Sequence, residues 1–146
     1  MRIMALDYGS VTVGVALTDE LGMTAQPYET ITREKANHLR KTLSRILETV
    51  RDKSVNLIVL GKPVHMDGSP GERVEQAEAF GRMLSERLAR EGLNADIVWQ
   101  DERLTTAEAD EILDEMGVKK EDRKKYIDKI AAAVILRDYM NQHELT

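Results

Sequence analysis

The sequence predicts an α/β protein built on a mixed β-sheet that is flanked by helices. The chain opens with two runs of apolar and β-branched residues joined by the short segment YGS, a pattern typical of an antiparallel hairpin. Farther along, continuous apolar runs alternate with segments whose apolar residues recur at helical spacing. Such alternation is typical of parallel strands connected by helices. We therefore expect the order β-β-β-α-β-α-β-α-α, with a three-stranded antiparallel meander followed by parallel strands in one five-stranded sheet.

The first half of the chain predicts three strands and a helix. RIMALDYG predicts the first strand, and VTVGVALTD, residues 11–19, predicts the second. MTAQPYETIT predicts a third strand at an edge or a bulge, because Pro27 lacks the N–H that a central strand donates. Residues 33 to about 53 place apolar side chains at helical spacing, with Thr32 as the candidate N-cap.

The second half predicts two more strands and three helices. VNLIVLG is a continuous apolar run typical of a strand buried on both faces. Ser69–Glu72 combines a capping box with proline at the first helical position and so predicts the start of a helix. ADIVWQ predicts the last strand, with Trp99 in the core of the sheet. A second capping box, Thr105–Glu108, begins a short helix, and a final helix runs from about 121 to 142.

Length and composition predict one globular domain, residues 1–146. The chain is 42% hydrophobic and 32% charged, and no apolar stretch approaches the roughly 18–20 residues that span a bilayer. It has no cysteine, and its N-terminus lacks the features of a signal peptide, so we expect a cytoplasmic protein without membrane contact. The net charge of −5 disfavours a protein that coats nucleic acid, but it is compatible with a nuclease whose acidic site binds metal.

Carboxylates interrupt three segments that are otherwise apolar. Asp7 ends the first strand, Asp101 and Glu102 follow the last strand, and Asp128 lies in the final helix beside its apolar stripe. In open α/β sheets, sites form outside the carboxyl ends of parallel strands. We therefore expect carboxylates from these three segments to converge at one edge of the sheet.

Three crowded carboxylates repel one another unless protons or a cation neutralise them. Mg²⁺ is held by one or two carboxylates while it keeps water and phosphate oxygens as further ligands. Two such ions about 3.5–4 Å apart can activate water and stabilise the leaving oxygen of a phosphodiester. The pattern therefore predicts metal-assisted phosphodiester hydrolysis.

Each carboxylate also has an ordinary structural interpretation. Asp7 could start a turn, and the Asp101–Glu102 pair could be solvated charges at a strand exit. Asp128 could pair with a nearby lysine on an exposed helix face. The residue pattern alone leaves these alternatives open.

Four motifs in the same order resemble one known family over essentially the whole chain. LDYGSVTVGVALTD resembles its opening strand-turn-strand, GKPVHMDGSPGER its central loop, DERLTTAEA its signature, and DKIAAAVILRDYM its closing helix. The sequence is thus similar to the YqgF-type family of pre-16S rRNA nucleases, also described as Holliday-junction resolvases, within the RNase H-like fold. It departs from the family at Val11–Val13, where many members carry a basic residue in the first turn.

The resemblance implies an RNase H-like sheet of five strands and a nuclease that depends on Mg²⁺ or Mn²⁺. It places the catalytic, metal-binding carboxylates at Asp7, Glu102 and Asp128. It selects Glu102 over Asp101, a choice that spacing leaves open. Whether Asp101 also contributes is not determined by the resemblance.

Basic residues near these carboxylates are candidate contacts to phosphate. The candidates are Lys62, Arg103, Lys124, Lys125 and Lys129. The last three could equally form a solvated helix face. Gly9 is expected to form a tight turn that leaves room beside Asp7 for an ion and a phosphate.

Several functions are compatible with this sequence. The first is 5′-end processing of pre-16S rRNA, and the second is resolution of branched DNA, for which a homodimer would cut two strands. A third is a non-catalytic RNA-binding factor in ribosome assembly or transcription. A fourth comes from LDYG…GVA, which resembles the phosphate-binding hairpin of actin-like kinases, but those proteins duplicate the unit that this chain contains once.

Overall fold

The computed structural model describes residues 1–63, 71–102 and 106–143. Its strands form one sheet in the order β3-β2-β1-β4-β5. The strands are β1 (Arg2–Tyr8), β2 (Thr12–Thr18), β3 (Ala25–Thr32), β4 (Val55–Pro63) and β5 (Asp96–Glu102). The helices are α1 (Leu39–Asp52), α2 (Glu72–Arg90), α3 (Thr106–Glu115) and α4 (Arg123–Gln142), with a short 3-10 helix at Lys120–Asp122. Among the described residues, none of these helices combines the length and apolarity required to cross a membrane.

The predicted order of elements and the mixed sheet are confirmed. β2 pairs antiparallel with both β1 and β3, while β4 pairs parallel with β1 and with β5. β3 lies at the edge of the sheet, and its register against β2 shifts where Pro27 pairs with Ala16. The edge position and the irregularity are the features that Pro27 predicts.

Alternation along the strands divides the core into two layers. Met4 and Leu6 point toward α1 and α2, whereas Ile3 and Ala5 point toward α4. Asp7 continues the second series, so its side chain lies on the α4 face of the sheet. Glu102 lies on that face too, because Val98, four residues earlier in β5, packs in the α4 layer.

The start predicted for α1 is wrong. The helix begins at Leu39, and its N-cap is His38 rather than Thr32. Residue 33 instead follows the sheet edge: the backbone N–H of Arg33 donates to the carbonyl of Val11, 2.8 Å away. The side chain of Arg33 is only 6% exposed, and its hydrogen bonds to the β1–β2 turn keep this segment out of the helix.

Two further predictions need correction. The N-cap of α2 is Gly71 without a side-chain cap, while Ser69 and Pro70, on which the predicted start depends, lie outside the described residues. Trp99 is 40% exposed and not in the sheet core. The reason is topological, because β5 is an edge strand and Trp99 packs only on one side, against Gly81 of α2.

Candidate functional site

Asp7 lies near the carboxyl end of the central strand β1. Its register partner in β2 is Gly14, and its side chain is half-buried on the α4 face. The buried residues Met4–Leu6 that precede it fix β1 between two layers of the core. A carboxylate is thereby held at the end of the central strand rather than on a free loop.

Glu102 ends β5, two strands away from Asp7 in the sheet. β4 lies between them, and Pro63 is the register partner of Glu102. The gap is crossed by side chains, since the carboxyl group of Glu102 lies close enough to Asp7 to raise its pKa. Gly61 in β4 leaves room for this contact: a Cβ there would lie 3.3 Å from Oε2 of Glu102 and 2.5 Å from Cδ1 of Ile135.

Asp128 reaches the same place from α4 because that helix crosses β2 at very short range. A Cβ added to Gly14 would lie 2.0 Å from the carbonyl oxygen of Asp128. Only glycine permits the helix backbone to rest on the strand in this way. Since Gly14 is the partner of Asp7, the crossing sets Asp128 beside Asp7.

Burial and neighbouring charges raise the pKa of Asp7 well above its ordinary value. Burial is the largest cause, followed by the negative charge of Glu102, the hydrogen bond to it, and the charge of Asp128, while the cation of Arg73 opposes the shift. Crowded carboxylates repel one another, and a divalent cation bound among them would relieve this repulsion.

The donor set fits a hard divalent cation, although it is not a closed cage. In the described parts of the chain, no three carboxylate or imidazole groups are arranged closely enough to hold a metal ion. Mg²⁺ usually takes one or two protein carboxylates and completes its shell with water and phosphate oxygens. Asp7 and Glu102 supply such a pair, with the charge of Asp128 within range.

The alternative ion pairs predicted for Asp128 do not form. Lys125 pairs instead with Asp122, with Nζ and Oδ1 3.6 Å apart, and Lys129 lies over the ring of Tyr126. The side chain of Asp128 forms no hydrogen bond or ion pair among the residues that the structure describes. An unpaired carboxylate beside a second acidic pair is unfavourable unless a cation is bound.

The neighbouring Asp101 belongs to the other face of the sheet. It alternates with Glu102 along β5 and is exposed, and its register partner in β4 is Lys62. The Lys62 ammonium lies 3.9 Å from a carboxylate oxygen of Glu78 on α2. The structure therefore separates Asp101 from the three converging carboxylates.

The remaining predicted residues surround this end of the sheet. Lys124 and Lys125 are exposed in the first turn of α4, one turn before Asp128. Gly9 lies in the β1–β2 turn, where its N–H donates to the carbonyl of Thr12 at 2.8 Å. Arg103 lies outside the described residues.

Sequence reasoning missed three residues that shape the site. Gly14 and Gly61 provide the close approaches that bring in Asp128 and Glu102, and Arg73 places a cation near Asp7. A glycine inside an apolar strand is a known sign of close backbone approach, so the sequence could have indicated the role of Gly14. Nothing in the sequence indicates that Arg73 lies near Asp7, because this depends on how α2 packs over the sheet.

The strand order, the helices on both faces and the carboxylates at the carboxyl ends of β1 and β5 define an RNase H-like α/β protein with an acidic site. The chain belongs to the RuvX family, whose description is Holliday junction resolvase and whose model matches residues 1–142. The resemblance seen in the four motifs is thereby confirmed.

Relatives match over nearly their full length. A protein of Lachnospira eligens named "Putative pre-16S rRNA nuclease" is 50% identical over 144 residues, which cover 99% of each chain. A protein of Bacillus subtilis with the same name is 43% identical over 141 residues, covering 97% of this chain and 98% of the relative.

Solved structures confirm the fold at low sequence identity. RuvC of Thermus thermophilus in complex with a Holliday junction superposes with a TM-score of 0.61 at 14% identity, covering 98% of this chain and 96% of RuvC. The fowlpox virus Holliday junction resolvase gives a TM-score of 0.57 at 13% identity, covering 97% and 99%.

Proposed function

We propose that this protein is a metal-dependent nuclease that hydrolyses phosphodiester bonds in structured nucleic acid, with Asp7, Glu102 and Asp128 as its catalytic carboxylates. The observation that supports this is the convergence of the three groups from separate elements. Glu102 and Asp128 both lie close enough to raise the pKa of Asp7. Close approaches at Gly14 and Gly61 accompany this arrangement.

Asp7 and Glu102 would hold Mg²⁺ or Mn²⁺, with the negative charge of Asp128 close to the ion. When bound, such a cation polarises the phosphoryl oxygens and lowers the pKa of its water, which supplies the nucleophile. Protons and metal compete for Asp7, since its pKa is raised and the ionised carboxylate is the better ligand. The buried strand β1 keeps Asp7 in one orientation, so less side-chain entropy is lost on binding.

The proposed substrate is the 5′ region of pre-16S rRNA, because the similar proteins of Lachnospira eligens and Bacillus subtilis carry that name. Action on this RNA would take place in the cytoplasm of bacteria such as those relatives. Lys62, Arg103, Lys124, Lys125 and Lys129 are the proposed contacts to its phosphates. All of these except Arg103 lie in elements that reach or flank the acidic edge of the sheet.

Branched DNA is the second candidate substrate, favoured by the family's description as a Holliday junction resolvase. Resolution requires two cuts related by symmetry, so this function would need a homodimer. Processing of a single RNA strand has no such requirement. The oligomeric state under assay conditions therefore helps to separate the two substrates.

A paired cleavage assay tests the proposal. Labelled pre-16S rRNA 5′ segments and four-way DNA junctions are incubated with the protein and Mg²⁺ or Mn²⁺, then with the D7N/E102Q/D128N variant. We expect cleavage of at least one substrate by the wild type and only background cleavage by the variant. Asp101→Asn is the matched control: it neutralises the adjacent carboxylate on the other face of β5 and should retain activity.

Two outcomes contradict the proposal in different ways. Equal cleavage by the triple variant would mean that the reaction does not use these carboxylates. RNA binding that survives in the triple variant, together with no cleavage by the wild type in any metal, would instead indicate a non-catalytic RNA-binding factor.

A further inference from the structure

A second polar site lies between the end of β3 and the start of α1. A cavity of about 720 Å³ opens there, and four of the eleven residues that line it are arginine or lysine. Its charged and ionisable members are Arg33, Glu34, His38, Arg40, Lys41 and Arg45. The clustering of cations is unusual in a chain whose net charge is −5, and it does not belong to the acidic site on the α4 face.

Arg33 is the buried member of this lining. Its Nη2 donates to the carbonyls of Gly9 and Ser10 at 2.6 and 2.7 Å, and its Nε donates to Ala36 at 3.2 Å. Its Nη1 is buried and has no hydrogen-bond partner. Among the described residues, no carboxylate forms an ion pair with this guanidinium. The guanidinium lies over the ring of Tyr8, 4.9 Å from the ring centroid, but it has no opposite charge beside it, so a nearby anion would stabilise it.

The start of α1 has the same preference for an anion. Its N-cap, His38, makes no side-chain cap, and its first turn contains no acidic residue. Arg40 and Lys41 lie in that turn, where a cation opposes the helix dipole by about 0.3–1 kcal/mol each. Free backbone N–H groups together with cations at a helix N-terminus match the charge and hydrogen-bonding capacity of a phosphate.

We infer that this cavity binds a phosphate group, and that in the proposed function the group is a backbone phosphodiester of the nucleic acid next to the scissile bond. Arg33 supports this role because it joins the cavity to the turn that follows Asp7 and Tyr8. The cavity and the acidic site lie at the same edge of the sheet, since β1 and β3 run parallel and both end there. A nucleic-acid strand could therefore pass over the β1–β2 turn from one site to the other. This inference rests on the proposed function for its choice of ligand.

The test uses two probes and two double variants. R40Q/K41Q removes two exposed cations of the cavity, and K53Q/R90Q removes two cations from the opposite ends of α1 and α2 as a matched control. Inorganic phosphate is titrated while the amide NMR signals of residues 39–41 are followed. Binding of an RNA hairpin and a four-way DNA junction is measured by fluorescence anisotropy as a function of salt.

We expect phosphate to shift the amide signals saturably in the wild type and in K53Q/R90Q, but not in R40Q/K41Q. We expect R40Q/K41Q to bind nucleic acid about tenfold more weakly, with a salt slope smaller by roughly 1.4–1.8, the change for two lost phosphate contacts. Absence of saturable amide shifts in the wild type would overturn the site. Shifts without any change in nucleic-acid binding would overturn its assignment to the nucleic-acid backbone and indicate a site for free phosphate. Failure of the proposed function can be told apart from failure of this site. Cleavage by the triple carboxylate variant would contradict the proposed function, but it would not change the result of the phosphate titration.

Discussion

Replacement of Gly14 by alanine tests the packing that places Asp128 in the site. The added Cβ would lie 2.0 Å from the carbonyl oxygen of Asp128 and 2.4 Å from its carbonyl carbon. Both atoms belong to the backbone of a helix with a buried face, so neither can rotate away. To reach an ordinary contact of about 3.4 Å, α4 must move away from β2 by roughly 1.4 Å.

Such a movement has two measurable consequences. Overpacking of a core costs typically 1–3 kcal/mol, and we expect Gly14→Ala to lower the free energy of unfolding by about that amount. A displacement of about 1 Å at a reacting centre can lower the rate about 100-fold, so cleavage should fall by at least this factor. Urea denaturation measures the first effect, and single-turnover cleavage of the preferred substrate measures the second.

Gly81→Ala provides the matched control. Its added Cβ would lie 3.0 Å from Cζ2 of Trp99 and 3.1 Å from Cδ1 of Leu60, which are ends of side chains. Alanine also favours a helix interior by about 1 kcal/mol over glycine, so stability should change little. A Gly14→Ala variant as stable as the wild type would refute the close crossing of α4 and β2. A destabilised variant with full activity would refute the role of that crossing in catalysis.

Two other predictions concern the charge of the site. First, the raised pKa of Asp7 means that the folded metal-free protein binds more protons than the unfolded chain above pH 3.8, so its stability falls as pH rises through the window up to the raised pKa. Asp7→Asn should therefore be more stable than the wild type at pH 7 in EDTA and equal to it below pH 3.8, because the amide carries no charge to bury. Urea denaturation of both proteins at several pH values measures this difference in stability. A difference that is the same at every pH would contradict the prediction. Second, Mg²⁺ or Mn²⁺ at about 100 times its Kd should raise the free energy of unfolding by about 2.7 kcal/mol in the wild type but not in D7N/E102Q/D128N, and an equal rise in both would place the metal elsewhere.

Local patterns were sufficient to predict most of the secondary structure. The hairpin, the edge position of the strand with Pro27 and the buried central strands follow from apolar runs and turn residues, which act over a few positions. The start of α1 did not follow, because Arg33 is held out of the helix by carbonyls of a turn more than 20 residues away in sequence. Such a contact leaves no trace in the helical periodicity of its own segment.

The sequence by itself determined the α/β class, the order of the elements and the acidic residues that end the first and last strands. These properties depend on residue type and on periods of two or about four residues, so they are present in the linear pattern. The residue pattern left open the choice between Asp101 and Glu102, which the family resemblance made, and only the tertiary structure decided that Asp128 lies near Asp7 instead of pairing with a lysine. The reason is that strand register, the crossing of α4 at Gly14 and the space at Gly61 depend on how distant segments pack.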